Sequence, residues 1–341
     1  MLTQVKIKGY KSIKYIELDL RSLNVFIGAN GAGKTNLISL FYLIDRIVEN
    51  NLQLHVGQSG GVESILHFGQ KVTDGMSVTL VFEETGYEFS LVPTKENNSL
   101  IFSREDYFYP EAGSDRPCVI SLGSGQKEAR LTDEARKNPG KPAAHILELV
   151  NNRGIYHFHD TGDSSRMKQL CNIDDNFFLK SDASNLAAYL FLLREKYYAN
   201  YVKIIETIRL AAPFFNDFNL RPSPFNERLI QLEWSEKGAQ TYFNAHSLSD
   251  GTLRFICLAT LLLQPQLPFC ILLDEPELGL HPYAITLLAA LLQKAAVKTQ
   301  VIVATQSVTL VNQLNPEDII VVERQESQSV FKHLNKDINQ I

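Results

Sequence analysis

Along the first twenty residues, Val5 and Ile7, then Ile16, Leu18 and Leu20, alternate with polar positions, the period of half-buried antiparallel strands. A short apolar run, Leu23–Ile27, ends at Gly28. From Lys34 the spacing changes to three and four, through Leu37, Leu40, Phe41, Ile44 and Ile47, which predicts a helix. A second alternation (Val78, Leu80, Phe82, then Tyr87, Phe89, Leu91) breaks at Glu84-Thr85-Gly86 and predicts a hairpin. Residues 95–142 are polar and punctuated by Gly and Pro, so loops and short elements are expected there. A helix is expected over 143–151, a strand over 154–159 and a helical stretch over 182–210, stopped by Pro213. Strand-like alternation returns at 229–234 and 241–244. The last third reads helix (252–263), strand (269–273), helix (283–296), strand (300–304), helix (308–314), strand (319–323). Apolar strands separated by helices imply a parallel sheet covered on both faces.

The 341 residues suit two domains or one large α/β unit. The apolar run over 255–273 is interrupted by Gln264, Pro265, Gln266 and Pro268, so a membrane span of about 20 clean residues is not expected. Lys6, Lys8, Lys11 and Lys14 are not followed by an apolar signal core, which gives export no support and places the protein in the cytoplasm. A net charge of −5 supplies no global pull toward DNA or an anionic membrane. Cys118, Cys171, Cys257 and Cys270 form no C-x-x-C pair, and buried, reduced thiols are the expectation.

Three motifs carry chemistry. Gly28-Ala29-Asn30-Gly31-Ala32-Gly33-Lys34-Thr35 fits the phosphate loop G-x-x-x-x-G-K-[ST] in full, in the strand-to-helix context its mechanism requires. Its glycines allow successive N–H groups to form an anion nest at a helix N-terminus. Lys34 can then reach the β- and γ-phosphates, and Thr35 can ligate Mg²⁺. The apolar strand over 269–273 ends in Asp274-Glu275. Asp274 suits the acidic partner of Mg²⁺, and Glu275 a general base for water attacking the γ-phosphate. Leu248-Ser249-Asp250-Gly251-Thr252 opens the next helix, where Ser249 or Asp250 can serve as a plain N-cap, a phosphate contact, or both.

The order of these motifs, continued by Pro276-Glu277-Leu278-Gly279-Leu280-His281-Pro282 and Val303-Ala304-Thr305-Gln306-Ser307, resembles ABC-type ATPase heads of the RecF/SMC-like branch of bacterial AAA-family ATPases. Ile7-Lys8-Gly9-Tyr10-Lys11-Ser12-Ile13 resembles the start of that branch. The likeness covers residues 1–85 and 228–324, with His157-Phe158-His159-Asp160-Thr161 and Asn185-Leu186-Ala187 adding to it in the middle. It implies an α/β P-loop NTPase with a mixed or parallel sheet flanked by helices, N-terminal antiparallel strands and a short helical lid. Lobe I would cover 1–160, the lid 161–227 and lobe II 228–341. ATP and Mg²⁺ are the implied cofactors. Asn30, Gly31, Ala32, Gly33, Lys34, Thr35 and Asn36 would hold ATP, with Lys11 nearby. Ser249 and Gly251 would contact the γ-phosphate of ATP on a second protomer, giving an ATP-sandwiched homodimer. Residues 277–280 would be the D-loop. Gln306 stands at the switch position that many ABC proteins fill with histidine, which puts strong basal turnover in doubt. Gln58 and Gln70 both stand as candidates for the Q-loop glutamine.

Other clusters admit simpler readings. His157 and His159 share a strand face suitable for zinc, but no further cluster completes a shell, and strand-end hydrogen bonding is preferred. Phe214, Phe215, Phe218 and Phe225 suit packing better than base stacking. The charged residues of 127–141 (Lys127, Arg130, Arg136, Lys137 and Lys141 among them) suit a solvated loop, with DNA-backbone contact as the sharper alternative. The function expected is an ATP-hydrolysing switch coupled to DNA repair transactions or to an effector protein in antiphage defence. The alternative is a nucleotide-gated scaffold that holds or releases a toxin or nuclease partner. A cis nuclease would need a C-terminal metal-binding domain, for which residues 325–341 leave no room.

Overall fold

The computed structural model describes residues 1–94, 98–111, 113–114 and 116–334. The expectations for 95–97, 112, 115 and 335–341 lie outside the described residues. Two compact units form: Met1–Arg153 together with the stretch from Pro316, and Gly154–Asn315.

The first unit carries a six-stranded antiparallel sheet. Its spatial order is Ile13–Asp19, Gln4–Tyr10, Met76–Phe82, Thr85–Pro93, Leu100–Tyr109, Cys118–Gly123. Register explains the alternation: Ile7 faces Val78, which faces Phe89, and Val5 faces Leu80, which faces Tyr87, and all six are buried on one face. Of the loops and short elements expected over 95–142, the part at 100–109 is instead a ten-residue strand. Leu100–Tyr109 and Cys118–Gly123 extend the sheet, and Leu131–Lys137 is a helix. The reason is a long-range tie. The buried carboxylate of Glu105 accepts from the Arg130 and Leu131 N–H groups, the Tyr87 hydroxyl and the Gln126 amide, satisfying the N-terminus of that helix. Glu128 likewise accepts from the Leu52 and Gln53 N–H groups at the start of Leu52–Gln58. The charged stretch is therefore a structural element as much as a solvated one.

Leu23–Ile27 pairs in parallel with Ile319–Gln325, which turns at Glu326-Ser327 and pairs antiparallel with Gln328–His333. Residues 328–333, expected to trail after the last strand, return as a strand of their own. The helix Lys34–Val48 buries Leu37, Leu40, Phe41, Ile44 and Ile47, the expected stripe.

In the second unit Cys270–Asp274 and Gln300–Thr305 pair in parallel, Cys270 opposite Gln300 and Asp274 opposite Ala304. Asp250–Leu263, Pro282–Ala296 and the short Val308–Val311 are helices. The helical stretch expected over 182–210 is two helices, Leu186–Lys196 and Tyr198–Ala211, broken where Tyr197 leaves helical geometry at φ −131°. The strand expected over 229–234 is also split, into Asn226–Ile230 and Glu233–Glu236. These join small sheets with Cys171–Asn172 and with Phe215–Phe218. Phe215 stacks on Trp234 and Phe218 meets Phe215 edge-on, so those aromatics pack; Phe225, by contrast, is fully exposed at a hairpin tip. Cys257 and Cys270 are buried, whereas Cys118 and Cys171 are half-buried, and all four are free. Among the described residues no helix is long and apolar enough to cross a membrane.

Candidate functional site

In the first unit the chain leaves Leu23–Ile27 into Gly28 and enters the helix at Lys34. A Cβ on Gly28 would lie 2.2 Å from the Val322 carbonyl oxygen. Gly31 (φ +79°) and Gly33 (φ +116°) occupy the left-handed region, and a Cβ on Gly33 would also strike the Ser329 hydroxyl at 2.0 Å. The glycines are therefore required by fold as well as by any ligand. Lys34 is only 5% exposed, and its ammonium donates to the carbonyls of Gly28 (2.7 Å) and Ala29 (3.1 Å). Asn30, Gly31 and Thr35 are exposed and Asn36 half-buried. An open groove of ≈ 860 Å³ runs between residues 28–32 and 321–325, with the Arg324 guanidinium donating to the Gly31 carbonyl at 3.4 Å.

A polar bracket steadies the loop. Ser329 donates to the Ala32 carbonyl (2.6 Å) and shares a hydrogen bond with Ser12 (2.7 Å), and the Asn36 amide donates to Ser12 (2.7 Å). Ser12 lies in the opening motif but without an assigned role, and Ser329 carries no motif signal; their partnership appears only because the fold joins positions 317 residues apart. Lys11 sits in the left-handed region on the neighbouring turn, and burial lowers its pKa. Its ammonium donates to Ser39, which also bonds the Tyr10 hydroxyl. Gln58 and Gln70 are both exposed, and the Gln70 N–H donates to Glu63.

In the second unit Asp274 ends its strand, and Glu275 turns into the left-handed region with its N–H donated to Ala304 (2.8 Å). The Asp274 Oδ1 is buried and has no partner among the described residues. A buried carboxylate oxygen without a donor suits a cation, so the strand end fits Mg²⁺. Glu277 is 7% exposed, and burial is the first cause of its raised pKa. Its Oε1 accepts from the Thr305 hydroxyl (2.5 Å) and the Gln306 N–H (3.3 Å). The Gln306 side chain itself is exposed.

Ser249 is the N-cap of Asp250–Leu263, accepting from the Thr252 N–H (3.2 Å). Both the capping role and exposure for an incoming group hold together. A Cβ on Gly251 would lie 2.2 Å from the Gly279 carbonyl oxygen, so this motif and the loop of residues 277–280 touch backbone to backbone. A cleft of ≈ 110 Å³ beside them is lined by Ser249, Gly251, Thr252, Gly279 and His281, among others. Arg254, which sequence reasoning missed, is buried and donates to the carbonyls of Phe158 (2.9 Å), His159 (3.2 Å) and Leu278. It thereby joins the helix, the His-Phe-His segment and the loop of residues 277–280. The His157 imidazole has its pKa lowered, burial first, with the Asp274 charge opposing. The His157 and His159 rings are 6.3 Å apart, and among the described residues no three His, Cys, Asp or Glu side chains gather to hold a metal.

A glycine loop feeding a helix N-terminus, an acidic end to a parallel strand and a capped helix facing the loop of residues 277–280 are the features of a P-loop NTPase of the ABC type. The chain belongs to the family described as "AAA domain, putative AbiEii toxin, Type IV TA system", whose model matches residues 23–312. It is 33% identical over 107 residues to a "Putative ABC transporter ATP-binding protein" of Methanosarcina acetivorans, a match spanning 31% of this chain and 38% of that relative. It is 21% identical over 296 residues to an "ATP/GTP phosphatase" of Helicobacter pylori, covering 82% of this chain and 77% of the relative. Among solved structures it resembles an SMC head bound to the C-winged helix domain of ScpA (TM-score 0.61, 16% identity, 99% of each chain). An SMC head with an extended coiled coil, bound to the C-terminal domain of ScpA derived from Pyrococcus furiosus, is similar at TM-score 0.57 and 16% identity, over 99% of this chain and 98% of that one. The fold is that of an SMC-like ATPase head.

Proposed function

We propose that this protein is an ATP-hydrolysing switch that dimerises around ATP and passes the resulting motion to DNA or to an effector protein. The observation that carries the reading is the phosphate loop: left-handed glycines in register with a helix N-terminus and a buried lysine make a site built for a polyphosphate. In this reading the N–H groups of residues 30–36 cradle the phosphates, and Lys34 exchanges its loop carbonyls for phosphate oxygens. Lys11 stands nearby. Thr35 and Asp274 would hold Mg²⁺, which when bound neutralises developing phosphate charge. Glu275 takes the proton from the attacking water, and the Gln306 amide orients that water by hydrogen bonds. Ser249 and Gly251 close the site of a second protomer. The SMC heads it resembles are bound to ScpA domains, which supports a protein partner here, and the family's description supports a place in defence or toxin control.

The test is Glu275→Gln, which keeps shape and hydrogen bonding but cannot accept the proton. It should bind ATP, stop turnover and accumulate a closed dimer by light scattering, and Ser249→Arg should prevent that dimer. A monomer at saturating ATP would overturn the sandwich while leaving the ATP site standing. One observation favours a second reading: an exposed glutamine stands where a histidine would give stronger turnover. A wild-type protein that binds ATP and dimerises, but whose hydrolysis neither DNA nor partner raises, would favour the nucleotide-gated scaffold.

A further inference from the structure

Glu277 is a carboxylate buried on a loop whose next residues, Leu278 and Gly279, are exposed. One oxygen organises three consecutive residues of the neighbouring strand end. Oε1 accepts from the Thr305 hydroxyl and from the Gln306 N–H, and the Thr305 hydroxyl oxygen in turn accepts from the Ser307 N–H at 2.9 Å. The other oxygen, Oε2, is buried without a partner among the described residues. Burying a carboxylate with one oxygen unpaired is costly. A group placed only to fill space would serve better as an apolar side chain, so the cost points to a task for Oε1.

The surroundings indicate that task. Residues 305–307 leave the strand Gln300–Thr305, and beyond Thr305 no strand ladder holds them. The Gln306 side chain projects to solvent while its backbone is pinned by Glu277. The same loop approaches the opening of Asp250–Leu263 through Gly279 and Gly251, and the Leu278 carbonyl accepts from Arg254. Any displacement of residues 278–280 therefore pulls on Glu277, and Glu277 pulls on the turn that aims Gln306.

We propose that Glu277 is the positioning residue of the switch, its carboxylate clipping residues 305–307 to the D-loop so that movement of that loop re-aims the Gln306 amide. This rests on the ATPase reading for its consequence, but the clip exists without ATP and is testable without it. Amide hydrogen exchange on the full chain reads it directly. In Glu277→Ala the Gln306 and Ser307 amides should exchange at least about tenfold faster, because the Gln306 N–H loses its acceptor and the Thr305 hydroxyl that holds the Ser307 N–H loses the carboxylate that fixes it. Glu277→Gln, whose amide oxygen can still accept, should keep them protected. Thr305→Val, which removes the hydroxyl at nearly constant volume, should release Ser307 without disturbing the core.

Turnover then tests the consequence. Glu277→Ala should lower kcat about 100-fold, the loss expected of an angstrom-scale misplacement, with ATP affinity within about twofold of wild type. Glu277→Gln should restore kcat to within about threefold. Adding Gln306→Ala to Glu277→Ala should cost little more, since both act through one amide. Unchanged exchange in Glu277→Ala overturns the clip whether or not the protein hydrolyses ATP. Changed exchange with unchanged kcat, or fully additive losses in the double variant, overturns the positioning role. A wild type without turnover sinks the hydrolysis reading instead, and the exchange result still judges the clip.

Discussion

Gly251→Ala adds a single methyl where the backbone of one motif touches that of another. The Cβ would lie 2.2 Å from the Gly279 carbonyl oxygen and 3.7 Å from the Leu280 Cα. Carbon–oxygen contacts settle near about 3.3 Å or more, so the helix start and the D-loop must separate by roughly 1 Å. The φ of Gly251 lies outside the left-handed region, so alanine meets no backbone strain of its own and the effect is steric. Overpacking of this kind costs about 1–3 kcal/mol, enough to lower Tm measurably but not to unfold the protein. The same displacement moves Ser249, proposed with Gly251 to close a second protomer's site, together with residues 278–280. Hydrolysis should therefore fall about 100-fold. ATP affinity of the isolated protomer should stay within about twofold, because the phosphate loop belongs to the other compact unit. Single-turnover hydrolysis, titration calorimetry with ATP and a melting curve on the same preparation separate these effects. A folded variant that hydrolyses ATP at the wild-type rate would refute the argument that this backbone contact sets the catalytic geometry.

Lys34→Ala should abolish ATP binding by calorimetry while costing only about 1–2 kcal/mol of stability, the value of the two carbonyl contacts it makes; normal affinity would sink the assignment of the loop. Asp45 gives a pH signature: burial lifts its carboxyl to about 6 despite the Arg153 guanidinium 2.9 Å away. The folded state thus holds the proton more tightly than the unfolded chain, so the stabilisation is full below about pH 4 and is lost as pH rises through about 6. Over that window Asp45→Asn should gain on wild type by up to about 3 kcal/mol, read as a growing Tm difference. A difference that stays constant from pH 4 to 7 would contradict it.

Some of the site is legible in the residues because its requirements are local. A glycine in the left-handed region, a lysine after it and an apolar run before it are each dictated within a few residues, so Gly28 to Thr35 reads directly as a strand, a loop and a helix start. The same holds for Asp274-Glu275, where an unbroken apolar run must end in a parallel strand, and for Ser249, whose hydroxyl caps the helix it precedes. Three- and four-residue periodicity placed the helix at Lys34 for the same reason.

What failed was decided at a distance. Residues 100–109 and 118–123 read as loops and short elements, yet cross-strand pairing makes them adjoining strands of one sheet, and the Glu105 carboxylate fixes the helix after them. Lys34 is read from its motif as a phosphate ligand, and only the fold shows it buried. Ser329 donates to the Ala32 carbonyl and bonds Ser12 from the opposite end of the chain, and Arg254 spends its donors on carbonyls as far as 96 residues away. No local pattern encodes such contacts, because a hydroxyl or guanidinium finds its acceptor only after the core has brought their strands together. The sequence by itself determined the chemistry available to this protein, since motif and backbone conformation are set by neighbours. Which side chains hold that chemistry in place was decided by the tertiary structure alone, since buried polar groups must be satisfied by whatever the packed fold sets beside them.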